Sequence, residues 1–327
     1  TIINMSFQEI ALAVAEAFFG EDVENEALKN IVYDTLSFDV PLVHVKDNIY
    51  SLELFHGPTL AFKDVGARFM SRLLRYFIQK EGEKNVNVLV ATSGDTGSAV
   101  ANAFFEQDDI QVVILYPSGK VSGLQEKQLT TMGGNITSLE VDGNFDDCQR
   151  LVKQAFADRK LNRDINLTSA NSINFARLFP QSFFYFNAVA QLKPSDKNLV
   201  FSVPSGNFGN LTSGLIAKKM GLTAHRFIAA TNSNRVVPDY LTEGSYIPKQ
   251  THHTITNAMD VGDPSNFPRM LEIYGKQHPA MASDIDGYWF TDDETRAAMA
   301  ILQNKYTYQA DPHGAVAFAG LLKSGLL

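Results

Sequence analysis

The sequence predicts an α/β chain with parallel sheets, and three observations carry that prediction. Short β-branched runs alternate with amphipathic helical stretches over much of the chain, which is the pattern of strand–helix–strand units. The run at 85–91 (NVNVLVA) is rich enough in valine for a strand buried inside a parallel sheet. Two glycine-rich turns, SGDTGS and SGNFGN, directly follow predicted strands and lead into predicted helices.

The elements follow in order. Residues 7–19 (FQEIALAVAEAFF) read as a helix, with Ser6 as its cap and Gly20 at its end. A second helix covers 24–36. Residues 43–54 read as strands around a turn at Asp47-Asn48. In LFHGPTLAFKDVGARFM, Pro58 fixes φ and turns the chain just before Lys63. Val65, Phe69, Leu73 and Phe77 then recur every fourth residue, so Lys63 opens a helix with one buried face. Strands are predicted at 85–91, 111–116, 136–141, 199–203 and 226–230. Helices are predicted at 124–132, 145–157, 174–192 and 211–220. The 174–192 helix is aromatic and carries Pro180 near its start. From about Thr231 the pattern loosens, and 239–256 reads as a loop. Helices follow at 268–274, 292–304 and 314–322. There is no repeat of fixed period and no low-complexity tract.

Composition narrows the functional classes. A chain of 327 residues, 45% hydrophobic and 20% charged, can bury a sizeable core in one large or two ordinary domains. A formal net charge of −8 argues against a nucleic-acid or anionic-membrane surface. A small anionic substrate is compatible with it, because local positive sites suffice. Cys148 is the only cysteine, which excludes an internal disulfide and a cysteine metal cluster and suits a reducing, cytoplasmic compartment. No apolar run reaches the ~18–20 residues of a membrane span. Thr1-Ile2-Ile3-Asn4 lacks the basic start of a signal peptide and an initiator methionine, so the chain is expected to begin inside the native N-terminus.

Lys63 is an unusual residue for the first turn of a helix. The positive end of the macrodipole disfavours an ammonium there and lowers its pKa, which suits a lysine that reacts as an amine. The turn Ser205-Gly206-Asn207-Phe208-Gly209-Asn210 can cradle an anion, with glycines that admit close backbone approach and Asn210 as a helix cap. It is neither a P-loop nor a dinucleotide fingerprint, and a tight strand–helix connection accounts for it equally well. Ser93 to Ser98 offers three hydroxyls, two glycines and Asp95, a density of small donors that favours ligand contact over a plain capped helix. SANSIN, with Arg177 one turn on, forms a third polar cluster, for which a simple cap by Ser172 or Asn174 is the plainer reading. His252-His253 reads as a surface pair, Asp260 and Asp263 as turn formers, and Cys148 and FFYF (183–186) as packing residues. Asp311-Pro312-His313-Gly314 reads as a helix start, with a histidine near a pocket as the alternative, and no metal site is expected.

Taken in order, HGPTLAFKD, ATSGDTGSA and PSGNFGN resemble the pyridoxal-phosphate enzymes of the tryptophan-synthase-β fold type, and most closely its threonine synthase branch. SANSINFARLFPQ, NAMDVGDPSNF and DPHGA extend the likeness over nearly the whole chain. The resemblance implies two parallel-sheet domains with the cofactor between them, preceded by a helical N-terminal segment at 1–45. The catalytic region would span 46–327, with a smaller α/β subdomain at about 64–180. It implies that Lys63 forms the Schiff base with pyridoxal 5'-phosphate, and that Gly206, Asn207, Phe208, Gly209 and Asn210 bind the cofactor phosphate. The implied reaction converts O-phospho-L-homoserine and water to L-threonine and phosphate. Lys63 would act as the base at Cα and as the proton shuttle, with the cofactor ring as electron sink. The Ser93–Ser98 turn, notably Ser93, Asp95 and Thr96, would hold the substrate carboxylate or phosphate, with Asn171, Ser172 and Arg177 as further phosphate candidates. A relative that makes 2-oxobutyrate instead and a non-catalytic binding relative are the alternatives. Many enzymes of the wider fold carry asparagine where Asp95 stands. An ionised aspartate against the cofactor phenolate is repulsive, so Asp95 is expected either to be protonated or to face the substrate. Family members also continue well past Leu327, where a threonine or serine stands beside the pyridine nitrogen, so the C-terminal part is expected to be truncated here.

Overall fold

The computed structural model describes residues 2–192 and 198–326, and the chain divides into two compact units. One comprises the residues up to Val40 with Leu54–Asn187. The other comprises Pro41–Glu53 with the residues from Ala188 onward.

The first unit begins with α1 (Phe7–Phe19) and α2 (Asn25–Thr35). Ser6 Oγ accepts from the Glu9 amide while Glu9 takes the Ser6 amide, and this capping box starts α1 where its hydrophobic stripe begins. Ile10, Ala11, Val14 and Ala15 form the buried face. β1 (Leu42–Lys46) and β2 (Ile49–Leu52) pair antiparallel around Asp47, whose φ is 48°, and belong to the second unit. α3 (Lys63–Glu81) buries Val65, Phe69 and Leu73, as the four-residue spacing requires.

Strands and helices then alternate. They are β3 (Val86–Ala91), α4 (Asp95–Phe104), β4 (Ile110–Pro117), α5 (Gly123–Thr130), β5 (Ile136–Val141), α6 (Phe145–Ala157), the short α7 (Leu161–Asp164) and β6 (Asn166–Ser169). All four strands are parallel, in the order β5-β4-β3-β6. Val88 at the centre lies opposite Val112 on one side and Thr168 on the other. Val86, Val88 and Val90 pack with Ala67 and Met70 of α3 and with Val100 and Phe104 of α4. On the other sheet face Ala91 and Leu115 pack with Cys148 and Val152 of α6. The strand β6 has no counterpart among the predicted elements, because NLTS is short and polar and gains strand geometry only by pairing with β3.

The helix expected over 174–192 is broken. α8 (Phe175–Leu178) and α9 (Ser182–Leu192) flank a 3₁₀ turn at Phe179–Gln181. Pro180 offers no amide donor and crowds the preceding turn, so an α-helical ladder does not run through it. The aromatic run is core, as expected: Phe183 is fully buried and meets Phe69 and Phe179 edge-on.

The second unit contains β7 (Val200–Pro204), α10 (Gly209–Lys219), β8 (Arg226–Thr231), α11 (Val236–Glu243), α12 (Phe267–Ile273), α13 (His278–Asp284), β9 (Ile285–Trp289), α14 (Asp292–Tyr306) and α15 (Pro312–Ser324). Its parallel sheet runs β7-β8-β9. Ile228 and Ala230 pack with Phe290, Leu302, Val316 and Phe318. The loop expected at 239–256 is helical as far as Glu243, which ends α11, and turns at Gly244. Neither α13 nor β9 was legible locally. β9 (IDGYW) carries Asp286 and Gly287, and its pairing with β8 makes it a strand. The chain is thus α/β, with a parallel sheet in each unit and helices at its start.

Candidate active site

In the first unit the chain runs outward from β3 to β4 and β5, then returns to place β6 on the other side of β3. This reversal makes the β3–β6 boundary a topological switch point, where the connections after two neighbouring strands diverge and leave a crevice at their carboxyl ends. The segments that leave those ends are Thr92–Ser98 and Ala170–Arg177, two of the three polar clusters seen in the sequence.

Lys63 is the first residue of α3, and Phe62 before it provides no side-chain cap. Its Nζ donates to Asp95 Oδ2 at 3.4 Å, and its side chain is 13% exposed. Asp95 is the first residue of α4, where the positive helix end favours a carboxylate. Burial pulls the Lys63 ammonium below its ordinary range. The Asp95 carboxylate opposes that pull and the Arg177 charge adds to it. The lowered pKa expected from the helix start therefore has burial as its main cause. Asp95 faces the lysine.

The second Asp95 oxygen is taken by a residue the sequence did not single out. Gln125 Nε2 donates to Asp95 Oδ1. Gln125 is the third residue of α5, and its Oε1 accepts from Ser122 N (3.2 Å) and Ser122 Oγ (3.1 Å) in a capping box. With its carbonyl tied to the cap, only its NH₂ is left to face Asp95. Gly94 has φ 136°, and a Cβ there would strike the Gln125 amide, so residue 94 is held to glycine twice over. Thr92 was also missed. Its fully buried Oγ1 accepts from the amides of Gly94 (2.9 Å) and Gly97 (2.8 Å) and shapes the turn from within. Of the three hydroxyls expected to meet a ligand, Ser98 is buried and donates to Gly94 O, while Ser93 and Thr96 are partly exposed.

At the β6 end, Asn171 Oδ1 accepts from Ala91 N (3.0 Å) and its Nδ2 donates to Ala91 O (2.7 Å). The side chain extends the β3 ladder by one rung. Ser172 lies half-buried in the same turn, and Asn174 caps α8 by accepting from Ala176 N. Arg177 is 3% exposed. Its Nη1 donates to Ala170 O at 2.7 Å, and its Nε has no partner among the described residues. Its backbone lies against Gly66, where a Cβ would come within 2.5 Å of the Arg177 carbonyl, one turn past Lys63. Burial pulls the guanidinium down to about 10, with Asp64 opposing, so it stays charged at neutral pH.

The second unit carries the third polar cluster, after β7. Phe208 has φ 60° and precedes α10 with no side-chain cap. The cap expected from Asn210 is not formed, because the helix starts at Gly209, two residues earlier than expected. Asn210 Nδ2 instead donates to Pro204 O (2.8 Å), and its Oδ1 accepts from Ser205 Oγ (3.0 Å) and Leu211 N (2.9 Å). A Cβ on Gly206 would lie 2.6 Å from Met259 Cα, so only glycine lets the turn approach that backbone. Among the described residues, none accepts from the amides of Gly206, Phe208 or Gly209. An uncapped helix start with such amides in a glycine turn has the donor chemistry of an anion site.

His253 Nδ1 lies 3.6 Å from Asp260 Oδ2, and no group of three metal-binding side chains occurs among the described residues. Asp260 is more than a turn former. It is buried and accepts from Asn232, Asn234 and both donors of Thr254. Cys148 is buried, and burial raises its thiol to about 11, as befits a packing residue. No described helix is long and apolar enough to cross a membrane.

Residues 38–326 match the family described as "Pyridoxal-phosphate dependent enzyme". The threonine synthase of Escherichia coli (strain K12) is 47% identical over 321 residues, which are 98% of this chain and 74% of that protein. Among solved structures, threonine synthase from Escherichia coli superposes with a TM-score of 0.93 at 46% identity, covering 100% of this chain and 75% of that one. The pyridoxal-phosphate-bound threonine synthase from Brucella melitensis gives 0.90 at 34% identity, covering 99% and 76%.

Proposed function

We propose, from the premise that the chain belongs to the threonine synthases of the pyridoxal-phosphate-dependent enzyme family, that it converts O-phospho-L-homoserine and water to L-threonine and phosphate. The observation that carries this reading is Lys63, a buried amine of lowered pKa, paired with Asp95 at the switch point of its sheet. Pyridoxal 5'-phosphate, when bound, supplies an aldehyde that condenses with a primary amine and a ring that withdraws electrons from substrate carbons.

The residues that would hold the cofactor are Lys63, for its aldehyde carbon, and Gly206, Asn207, Phe208, Gly209 and Asn210, for its phosphate. The uncapped start of α10 and the unaccepted amides of the turn support the second assignment. Lys63 Nζ would take protons from the substrate Cα and then Cβ as phosphate leaves Cγ, and return them at Cγ and Cα, while water adds its hydroxyl at Cβ and gives its other proton to the departing phosphate. Asp95 Oδ2 stabilises the ammonium that forms in between, and Gln125 keeps the carboxylate turned toward it. Ser93 and Thr96 would bind the substrate carboxylate through hydroxyls that the fold leaves partly exposed. Ser172 would bind the substrate phosphate, with Asn171 fixing the end of β3 and Arg177 as the buried positive charge behind it. The reaction is assigned to the reducing cytoplasm, with no nucleic-acid or membrane partner, a reading supported by the net charge and the single buried cysteine.

The test is turnover of O-phospho-L-homoserine with threonine, phosphate and 2-oxobutyrate all measured. Equal release of threonine and phosphate is expected. Phosphate released with 2-oxobutyrate and ammonia in place of threonine would overturn the assignment.

A further inference from the structure

The anion turn after β7 is itself held from behind by a segment of the second unit whose residues have no part in the reading above. Asn207 is gripped at two points. Its Oδ1 accepts from Ser265 N (2.6 Å) and Ser265 Oγ (2.9 Å), and its main-chain carbonyl accepts from Asn266 Nδ2 (3.0 Å). Asn266 is fully buried, and its own Oδ1 accepts from Arg269 Nη1 at 2.9 Å. The guanidinium thereby fixes which way the Asn266 amide faces and strengthens its N–H as a donor.

Peptide geometry turns this grip into a directional constraint. The Asn207–Phe208 bond is trans, so the Asn207 carbonyl and the Phe208 amide lie in one plane and point in opposite directions within it. Pinning the carbonyl to Asn266 therefore aims the Phe208 N–H away from Asn266. That amide is one of those with no acceptor among the described residues. The same segment is anchored further back. Asp260 holds Asn232, Asn234 and Thr254, and Met259 next to it supplies the backbone on which Gly206 rests. Phe267, which follows Asn266, is fully buried and stacks on Tyr246 with 4.0 Å between ring centroids.

We infer that Asn266, with Ser265, is a positioning residue that presets the peptide plane of Asn207–Phe208 so that the turn presents its amides to a phosphate. This rests on the proposed role of residues 206–210. The geometry makes the segment 254–269 a backing for the anion site, and its loss would fall on phosphate recognition alone.

The test compares the apoprotein's affinity for pyridoxal 5'-phosphate with that for pyridoxal, which lacks the phosphate, by fluorescence titration. Asn266→Ala is expected to weaken pyridoxal 5'-phosphate binding about tenfold, the scale of one lost buried hydrogen bond, and to leave pyridoxal within about twofold by the same measure. Ser265→Ala, which keeps the backbone donor, is expected to lose about threefold, again selectively. It carries the test if Asn266→Ala fails to fold. Equal losses for both ligands in these variants would overturn the inference, because a general structural defect would then explain them. Gly206→Ala separates the two levels. If it alone loses pyridoxal 5'-phosphate while the other variants bind normally, the turn is the phosphate site and the positioning role is wrong. If folded Gly206→Ala binds as the wild type does, the turn is not the phosphate site and both readings fall.

Discussion

The two glycine turns do similar geometric work by opposite chemical means. In the first unit the groups of interest are side chains: Lys63, Asp95 and Gln125 from three different helices, with Arg177 buried beyond them. In the second unit they are main-chain amides of one turn, and the side chains of Asn207 and Asn210 act inward as braces. A site made of side chains depends on charge and burial and fails when one group is replaced. A site made of amides depends on conformation and is damaged through glycines and through residues that hold the peptide planes.

The strongest way to break this contrast is at Lys63. Lys63→Met should abolish turnover, by more than about 10³-fold if the lysine is both anchor and base. It should also raise the unfolding midpoint of the apoprotein at pH 6–7. The sign follows from linkage. The folded-state pKa of Lys63 lies below the unfolded value of 10.5, so the folded state resists protonation and loses stability as pH falls. The gain in Lys63→Met should shrink as pH rises toward 10.5. A midpoint difference that does not change with pH would count against a buried, discouraged ammonium.

A smaller effect is expected at Gly94. Gly94→Ala forces a side chain into φ 136° and against Gln125, a backbone strain of about 1–3 kcal/mol. Stability should fall by that order in denaturant titrations, and kcat should fall with it because Asp95 is the next residue. Normal stability and kcat would show that the turn is not strained.

Arg177→Met tests the distant charge. Its removal takes away an influence that lowers the Lys63 pKa, so the pH at which Lys63 becomes reactive should move upward. Labelling of the apoprotein lysine by an acylating reagent across pH 6–10 measures this. A downward or absent shift would remove Arg177 from the electrostatics of the lysine.

The mildest change is Gln125→Glu. The capping box accepts glutamate as readily as glutamine, so α5 should still start at the same place and the melting curve should barely move. The new carboxylate would face Asp95, and turnover should drop by about three- to tenfold, a like-charge effect on the order of 1 kcal/mol. Wild-type turnover would show that Gln125 serves the cap alone.

How much of this was legible locally depends on where each residue's partners lie. Ser6 and Glu9, the stripe of α3 and the valines of β3 state their structure in their own spacing, because their partners are within one or two turns or simply apolar. Lys63 stood out because a helix start is a poor place for an ammonium. Gln125 and Thr92 did not, since a capping glutamine and a threonine before a glycine are common, and their contacts reach 30 residues away or act through unseen backbone geometry. β6 and β9 were invisible for a related reason: NLTS and IDGYW become strands by pairing with β3 and β8.

The sequence by itself determined the α/β class, most helices and strands, the family likeness and the three polar clusters, because periodicity and turn chemistry act over a few residues. The tertiary structure decided the rest. Strand order brought the Thr92–Ser98 and Ala170–Arg177 segments to one switch point, set Asp95 against Lys63, and spent Asn171 on the backbone of Ala91. It also put Ser265 and Asn266 behind Asn207, 58 and 59 residues away in the chain. Such pairings depend on where distant segments come to rest, and burial, the largest cause of the lowered Lys63 pKa, arises only once the chain has packed around it.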